Sequence, residues 1–87
     1  MNKIKIEIQD GGIEVNQYLD TDNIRFKKNG NPVLSDLIPE IKKIANKTFF
    51  RSRDSKMYDV YVKIFVINED DKIHYSEFRK IKILGSI

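Results

Sequence analysis

The stretch KIKIEIQDGGIEV, Lys3 to Val15, alternates isoleucine with charged or amide residues and then reaches a turn signal. Ile4, Ile6 and Ile8 fall on one side of an extended chain and Lys3, Lys5 and Glu7 on the other, the period of a half-buried strand. Asp10-Gly11 is a favoured two-residue hairpin loop. With that loop, Gln9 faces Gly12, Ile8 faces Ile13 and Ile6 faces Val15, so the second strand brings its apolar residues to the same face as the first. The fold therefore opens with a β-hairpin.

Beyond Leu19, the polar DTDN segment breaks the pattern, a short strand is expected over Ile24 to Lys28, and NGNP breaks it again. Helical spacing follows, with Leu34, Leu37, Ile38, Ile41, Ile44 and Ala45 on one stripe and Glu40, Lys43 and Lys47 opposite. Asp36 and Glu40 near its start and lysines near its end suit the helix dipole. Pro39 biases Ile38 away from helical dihedrals, so the regular helix is expected to begin at Pro39, after a looser turn started by Ser35. Met57 to Ile67 and Ile73 to Leu84 read as two long strands joined by the acidic turn around Glu69, Asp70 and Asp71. A loop of either two or four residues sets Asn68 opposite Ile73, Val66 opposite Tyr75, Val62 opposite Arg79 and Val60 opposite Ile81.

These elements predict a single α+β domain over residues 1–87: a β-hairpin, a short strand, one helix and a long C-terminal β-hairpin. The helix packs on one face of a four- to five-stranded sheet. In outline the order resembles the ubiquitin-like β-grasp topology, which implies the first strand lying beside the last and leaves function open, because that fold hosts unrelated activities.

The chain has 87 residues, no cysteine and a formal net charge of +3. One modest core is all this length supports, with no disulfide framework, thiolate metal site or catalytic thiol to supplement it. The amino-terminal residues contain no continuous apolar run, so neither a signal peptide nor a membrane span is expected, and the expected setting is cytoplasmic. Residues 1–22 carry −3 and residues 23–67 carry +6, while the last twenty cancel. One side of the molecule is thus expected to be basic, which speeds encounter with an anionic partner without naming it. The wealth of isoleucine, lysine and asparagine, with Ala45 the only alanine, matches proteins of AT-rich genomes, many phages and mobile elements among them.

With one helix available, the second face of the sheet is the candidate binding surface. Alternation sends Asp59, Tyr61, Lys63, Phe65 and Ile67 away from the helix. The register then sets Lys63 opposite Phe78, Tyr61 opposite Lys80 and Asp59 opposite Lys82. If the first strand lies beside the last, Lys3 and Lys5 join this face. Two readings follow. Exposed Tyr61, Phe65, Ile67, Phe78 and Leu84 form a protein interface, for a second copy or a target, as in a phage or mobile-element inhibitor of a host enzyme or defence complex. Alternatively, Tyr61, Phe65 and Phe78 stack unpaired bases while Lys63, Lys80 and Lys82 meet phosphates. The protein reading leads, because Ile67 and Leu84 have no part in base stacking.

In TFFRSRDSKMY, Thr48 to Tyr58, the two phenylalanines are expected to cap the core while Arg51, Arg53 and Lys56 face water or extend the basic patch toward phosphate or carboxylate. Arg25, Lys27 and Lys28 form a second basic cluster. His74 stands alone, which excludes a two-histidine ribonuclease or a metal site of several imidazoles, and its expected place is the outer face near the hairpin turn. DTDN resembles the start of an EF-hand loop, but Ile24 and Arg25 occupy the next ligand position and the glycine position, so calcium is rejected. Glu77 and Arg79 fall on the helix side, where a buried pair is costly. They lie beyond the helix, or a bulge near Ser76 turns them out, or they form a carboxylate–guanidinium site of the kind a small nuclease toxin uses. No cofactor, metal or catalytic residue is expected, and a non-catalytic binding protein is the leading reading.

Overall fold

A computed structural model describes residues 2–10, 13–48 and 57–84. The alternating segments become β1 (Lys3–Asp10), β2 (Ile13–Tyr18), β3 (Met57–Ile67) and β4 (Ile73–Leu84), and the helical stripe becomes α1 (Leu34–Thr48). The four strands form one antiparallel sheet in the order β2-β1-β3-β4, with the helix packed on one face. The first strand therefore lies between β2 and β3 rather than beside the last strand. β2 and β3 run parallel on either side of it, so the connection through α1 crosses over β1.

Ile4, Ile6 and Ile8 are fully buried, as are Val60, Val62 and Val66. Apart from Val66, they join Ile64 in one cluster with Leu37, Ile41 and Ala45 of the helix, while Ile38 and Ile44 pack at the margin of that cluster. Leu34, expected on that stripe, is instead exposed.

The first hairpin differs from expectation by two residues: Asp10 pairs with Ile13, Ile8 with Val15 and Ile6 with Gln17. A shift of two keeps every side chain on its face. Its gain is at the far end, where the Leu19 N–H donates to the Ile4 carbonyl at 2.8 Å and Leu19 is buried in the core. The Asp10-Gly11 register would have set Leu19 opposite Asn2, past the end of β1. Burial of a large apolar side chain, about 1.5–3 kcal/mol, outweighs the local turn preference.

No strand forms over Ile24 to Lys28. The segment makes one isolated bridge, Phe26 with Pro32, and the loop sends Ile24 and Phe26 into the core on the helix side. This loop therefore leaves the outer face of the sheet uncovered among the described residues. Side chains of Arg25, Asn2 and His74 help to hold the loop. Arg25 donates from its backbone N–H and Nε to Asp36 Oδ2 at 3.0 and 2.8 Å and from a terminal nitrogen to Oδ1 at 3.1 Å. Asn2 Nδ2 donates to the Gly30 carbonyl at 3.0 Å. His74 Nε2 donates to the Asn29 carbonyl at 2.7 Å. Gly30 has φ 89°, which favours glycine there, and a Cβ at this position would lie 2.8 Å from Asn2 Nδ2 and displace the Asn2 side chain.

The helix begins five residues before Pro39, with Asp36 and Leu37 donating to the Val33 carbonyl. Proline at this depth leaves the Ser35 carbonyl without its helical donor. Anchoring of the first turn, through Arg25 on Asp36 and burial of Leu37, holds Ile38 helical against the local bias. In the second hairpin Val66 pairs with Tyr75, Val62 with Arg79 and Val60 with Ile81, as expected. Ile73, however, pairs with Ile67, not with Asn68, and the register shifts between Val66 and Ile67. His74 is the extra residue of this bulge, which turns it onto the Asn29 carbonyl.

Pro39→Ala should stabilise the protein. It restores a donor at a position where proline costs about 3 kcal/mol relative to alanine, offset by about 0.4–1 kcal/mol of extra freedom in the unfolded chain. A urea midpoint above wild type is expected, and an unchanged or lower midpoint would show that the fixed φ of the ring outweighs the missing bond.

The hydrogen bonds from the Arg25 guanidinium and backbone hold the Asp36 carboxyl below the usual carboxylate range. Its contribution is therefore present above the ordinary aspartate range and lost as pH falls through the lower folded-state value. Asp36→Asn should lower the melting temperature at neutral pH and flatten its further fall below about pH 4. Thermal unfolding at neutral and acid pH checks this, and parallel curves for the two proteins would contradict it.

Candidate functional site

Strand pairing dictates which side chains meet on the outer face. One row runs Tyr18, Lys5, Phe65, Ser76; the next Asn16, Glu7, Lys63, Phe78; the third Glu14, Gln9, Tyr61, Lys80; and Asp59 with Lys82 ends the series. The pairs Lys63–Phe78, Tyr61–Lys80 and Asp59–Lys82 stand as expected from sequence. Lys3 and Lys5 reach the same face by pairing with Ile67 and Phe65 of β3, not through the last strand.

Tyr61 is 48% and Phe78 62% exposed, and their rings stack at 5.7 Å between centroids with 23° between planes. They are diagonal neighbours across β3 and β4, within reach for aromatic side chains. Phe65 and Ile67 are half-buried and, with Lys5, Glu7 and exposed Ile73, line a shallow depression of about 260 Å³. Tyr18, which sequence reasoning did not single out, extends the face toward β2, where Lys3 Nζ lies 6.0 Å above its ring. The alternation of β2 placed Tyr18 there all along; only the neighbour of β1 was needed to connect it with Phe65.

The cations divide into two groups. Lys80 and Lys82 both reach Asp59, at 3.8 and 3.4 Å. Among the described residues no carboxylate lies within ion-pair distance of Lys5 or Lys63, although Glu7 stands directly across from Lys63. Exposed pairs of this kind contribute about 0–1 kcal/mol each, so they orient the lysines more than they stabilise the sheet. Arg51, Arg53 and Lys56, like Phe49 and Phe50, lie outside the described residues, and so does the side chain of Leu84.

Glu77 and Arg79 stay on the helix side. The bulge at His74 leaves the pairing from Tyr75 onward in register and does not turn them out, and Arg79 donates from a terminal nitrogen to Glu77 Oε2 at 3.3 Å. The side chains are 38% (Arg79) and 19% (Glu77) exposed, and the buried Nε of Arg79 has no acceptor. Glu77 also lines a small cavity of about 60 Å³ with Leu34, Leu37 and Tyr75. The pair thus sits at the edge of the core, its charges set against each other. Of the second basic cluster, Arg25 is committed to Asp36. Among the described residues no group of three or more histidine, aspartate or glutamate side chains could hold a metal ion, and no helix is long and apolar enough to cross a membrane.

The Tyr61–Phe78 stack gives a quantitative test of this face. Each ring is exposed enough that its replacement by alanine should leave the protein folded, and a double-mutant cycle should return a coupling of about 0.5–1 kcal/mol. Additivity of the two urea-unfolding losses within about 0.3 kcal/mol would show that the rings are neighbours without interaction. Comparison with known proteins finds no family model that matches the chain and no similar curated protein or solved structure.

Proposed function

We propose that the protein acts without catalysis, by binding another protein through the outer face of β3 and β4. The observation that carries this reading is the exposed Tyr61–Phe78 stack, continuous with Phe65, Ile67 and Ile73, beside two lysines already engaged by Asp59. Aromatic anchors with an apolar margin and a charged rim are the anatomy of a protein interface. Lys3, Lys5 and Lys63 on the same face favour a partner with an acidic margin, which they would steer more than they would hold. A small regulatory protein or inhibitor of a larger enzyme or complex, of the phage or mobile-element kind that the composition matches, fits these features.

A second reading has one specific observation behind it. Lys63 stands opposite Phe78 with no ion-pair partner among the described residues, so a base stacked on Phe78 would have a cation beside its phosphate. Single-stranded nucleic acid is the ligand this would take. Nothing comparable supports a nuclease, since Glu77 and Arg79 engage each other on the far face.

The test is direct binding to a partner recovered with the tagged protein and then purified. Tyr61→Ala and Phe78→Ala should each weaken it by about tenfold or more, as interface anchors do, while Lys42→Ala on the exposed helix surface leaves it unchanged. Equal affinity in all three variants would remove the outer face from the interface. Fluorescence anisotropy with labelled single strands at two salt concentrations separates the second reading: salt-sensitive binding lost in Lys63→Glu would move the assignment to nucleic acid.

A further inference from the structure

The sheet has two edges, and they are unequal. β2 is 6 residues long, whereas β4 is 12 residues long and, among the described residues, pairs only with β3. An unpaired edge is a template for another strand, and proteins usually blunt it with proline, bulges, short length, lysines or inward-pointing charges, of which β4 carries Lys80 and Lys82 and, on the helix side, Glu77 and Arg79. β4 contains no proline, and beyond the bulge at His74 its register with β3 runs without interruption from Tyr75 to Leu84.

We propose that β4 is a self-association edge, on which a second copy of this chain pairs antiparallel about a twofold axis at Phe78, joining two sheets into one of eight strands. The sequence of β4 is self-complementary about that residue. With Phe78 opposite Phe78 of the second copy, Glu77 stands opposite Arg79, Arg79 opposite Glu77, Tyr75 opposite Ile81 and Ser76 opposite Lys80. Opposed side chains in such a ladder have Cβ atoms about 4.5–5.5 Å apart. Two salt bridges therefore form symmetrically on the helix side, and two exposed phenylalanines meet on the outer side.

The register is selected by charge. Continuity of the two faces allows the axis to move only by one whole position, because opposed residues must share a face. Centring it on Glu77 would set glutamate against glutamate, and centring it on Arg79 would set arginine against arginine. Phe78 is the centre that pairs opposite charges, the isologous match that a twofold interface requires.

The single chain shows what this pairing would complete. Arg79 makes one 3.3 Å contact through a terminal nitrogen, its buried Nε has no acceptor, and Glu77 is mostly buried beside it. An arginine fork suits two parallel bonds to a carboxylate, and only part of it is used. Phe78 and Tyr75, on opposite faces of the strand, are both exposed. A second β4 brings a carboxylate to the guanidinium and covers both rings. This association uses the edge and shares Phe78 with the proposed outer-face interface; a purely monomeric protein would leave the partner reading standing.

Sedimentation equilibrium from low micromolar to hundreds of micromolar protein tests it, and a mass approaching twice 10.3 kDa is expected. Glu77→Arg and Arg79→Glu each oppose like charges across the axis and should raise the dissociation constant roughly tenfold or more. Combining them exchanges the charges and should restore the dimer. Far-UV circular dichroism establishes that each variant is folded. If either single variant is not, Phe78→Glu decides, since it alters an exposed side chain and sets two carboxylates together at the axis; loss of the dimer is expected. A monomer throughout the range would overturn the proposal and assign the Glu77–Arg79 pair to guarding the edge against strand addition. A dimer unaffected by Phe78→Glu would overturn it as well, by placing the interface elsewhere.

Discussion

The structure depends on the burial of Ile4, Ile6 and Ile8 in a strand that is paired on both sides. β1 is held by β2 through one ladder and by β3 through the other, and its three isoleucines are fully covered by the helix layer. A slip of one residue in either ladder would turn all three into water and bring Lys3, Lys5 and Glu7 into the core. Burial of three such side chains is worth several kcal/mol by the area measure, about 1.5–3 kcal/mol each, comparable with the whole net stability of a small domain. Both registers are therefore fixed by one strand. Everything on the outer face follows by parity: Phe65 beside Lys5, Lys63 beside Glu7 and Tyr61 beside Gln9.

A chain of this length with one helix and no cysteine has little else to build a core from, and the loop between β2 and α1 shows how it compensates. Leu19 extends the ladder to Ile4, Ile24 joins the buried cluster and Phe26 packs at its border. Recruiting the loop requires satisfying its backbone and fixing its course, which Arg25 does at the start of the helix and Asn2 and His74 do around Gly30. His74 serves structure here rather than chemistry, as the bulge aims it into the loop. The consequence for function is spatial. Because the loop is used on the helix side, nothing among the described residues covers the aromatic face of β3 and β4.

What the sequence disclosed, and what it did not, follows the reach of each interaction. The pairing of β3 with β4 is legible because two long alternating segments flank a short turn, so the register from Val66–Tyr75 to Val60–Ile81 follows from adjacency and parity. The pairs Lys63–Phe78 and Tyr61–Lys80 are legible for the same reason. The first hairpin was misplaced by two residues because Asp10-Gly11 is a local signal, whereas the observed register is chosen by burial of Leu19 at the other end of the strand. The helix start was misplaced because Pro39 is a local signal too, and Arg25, distant in sequence, stabilises the turn before it. The neighbour of β1 could not be read at all. Both candidates, β3 and β4, present alternating faces to it, and the decision belongs to the path of the crossover; Tyr18 was overlooked with it.

The residues that break the pattern are informative because the pattern is otherwise strict. Along the helix-facing side of β3 every residue from Val60 to Val66 is aliphatic and buried, but its partners on β4 include Glu77 and Arg79. In a central strand such a pair is costly unless further partners satisfy it, since two desolvated charges with a single 3.3 Å contact recover little of what burial costs. At an edge the cost falls, as one side remains open to water or to another strand. An apolar pair at these positions would bury more surface and make the edge a nonspecific template for any strand. A charged pair accepts only a strand of matching sequence and direction, so polarity that weakens the single domain restricts what can be added to it. The outer face shows the same division: Asp59 restrains Lys80 and Lys82 at one end, while Tyr61 and Phe78 remain exposed toward the middle of the strands. If both surfaces bind as proposed, charge would limit which contacts form and apolar surface would supply their affinity.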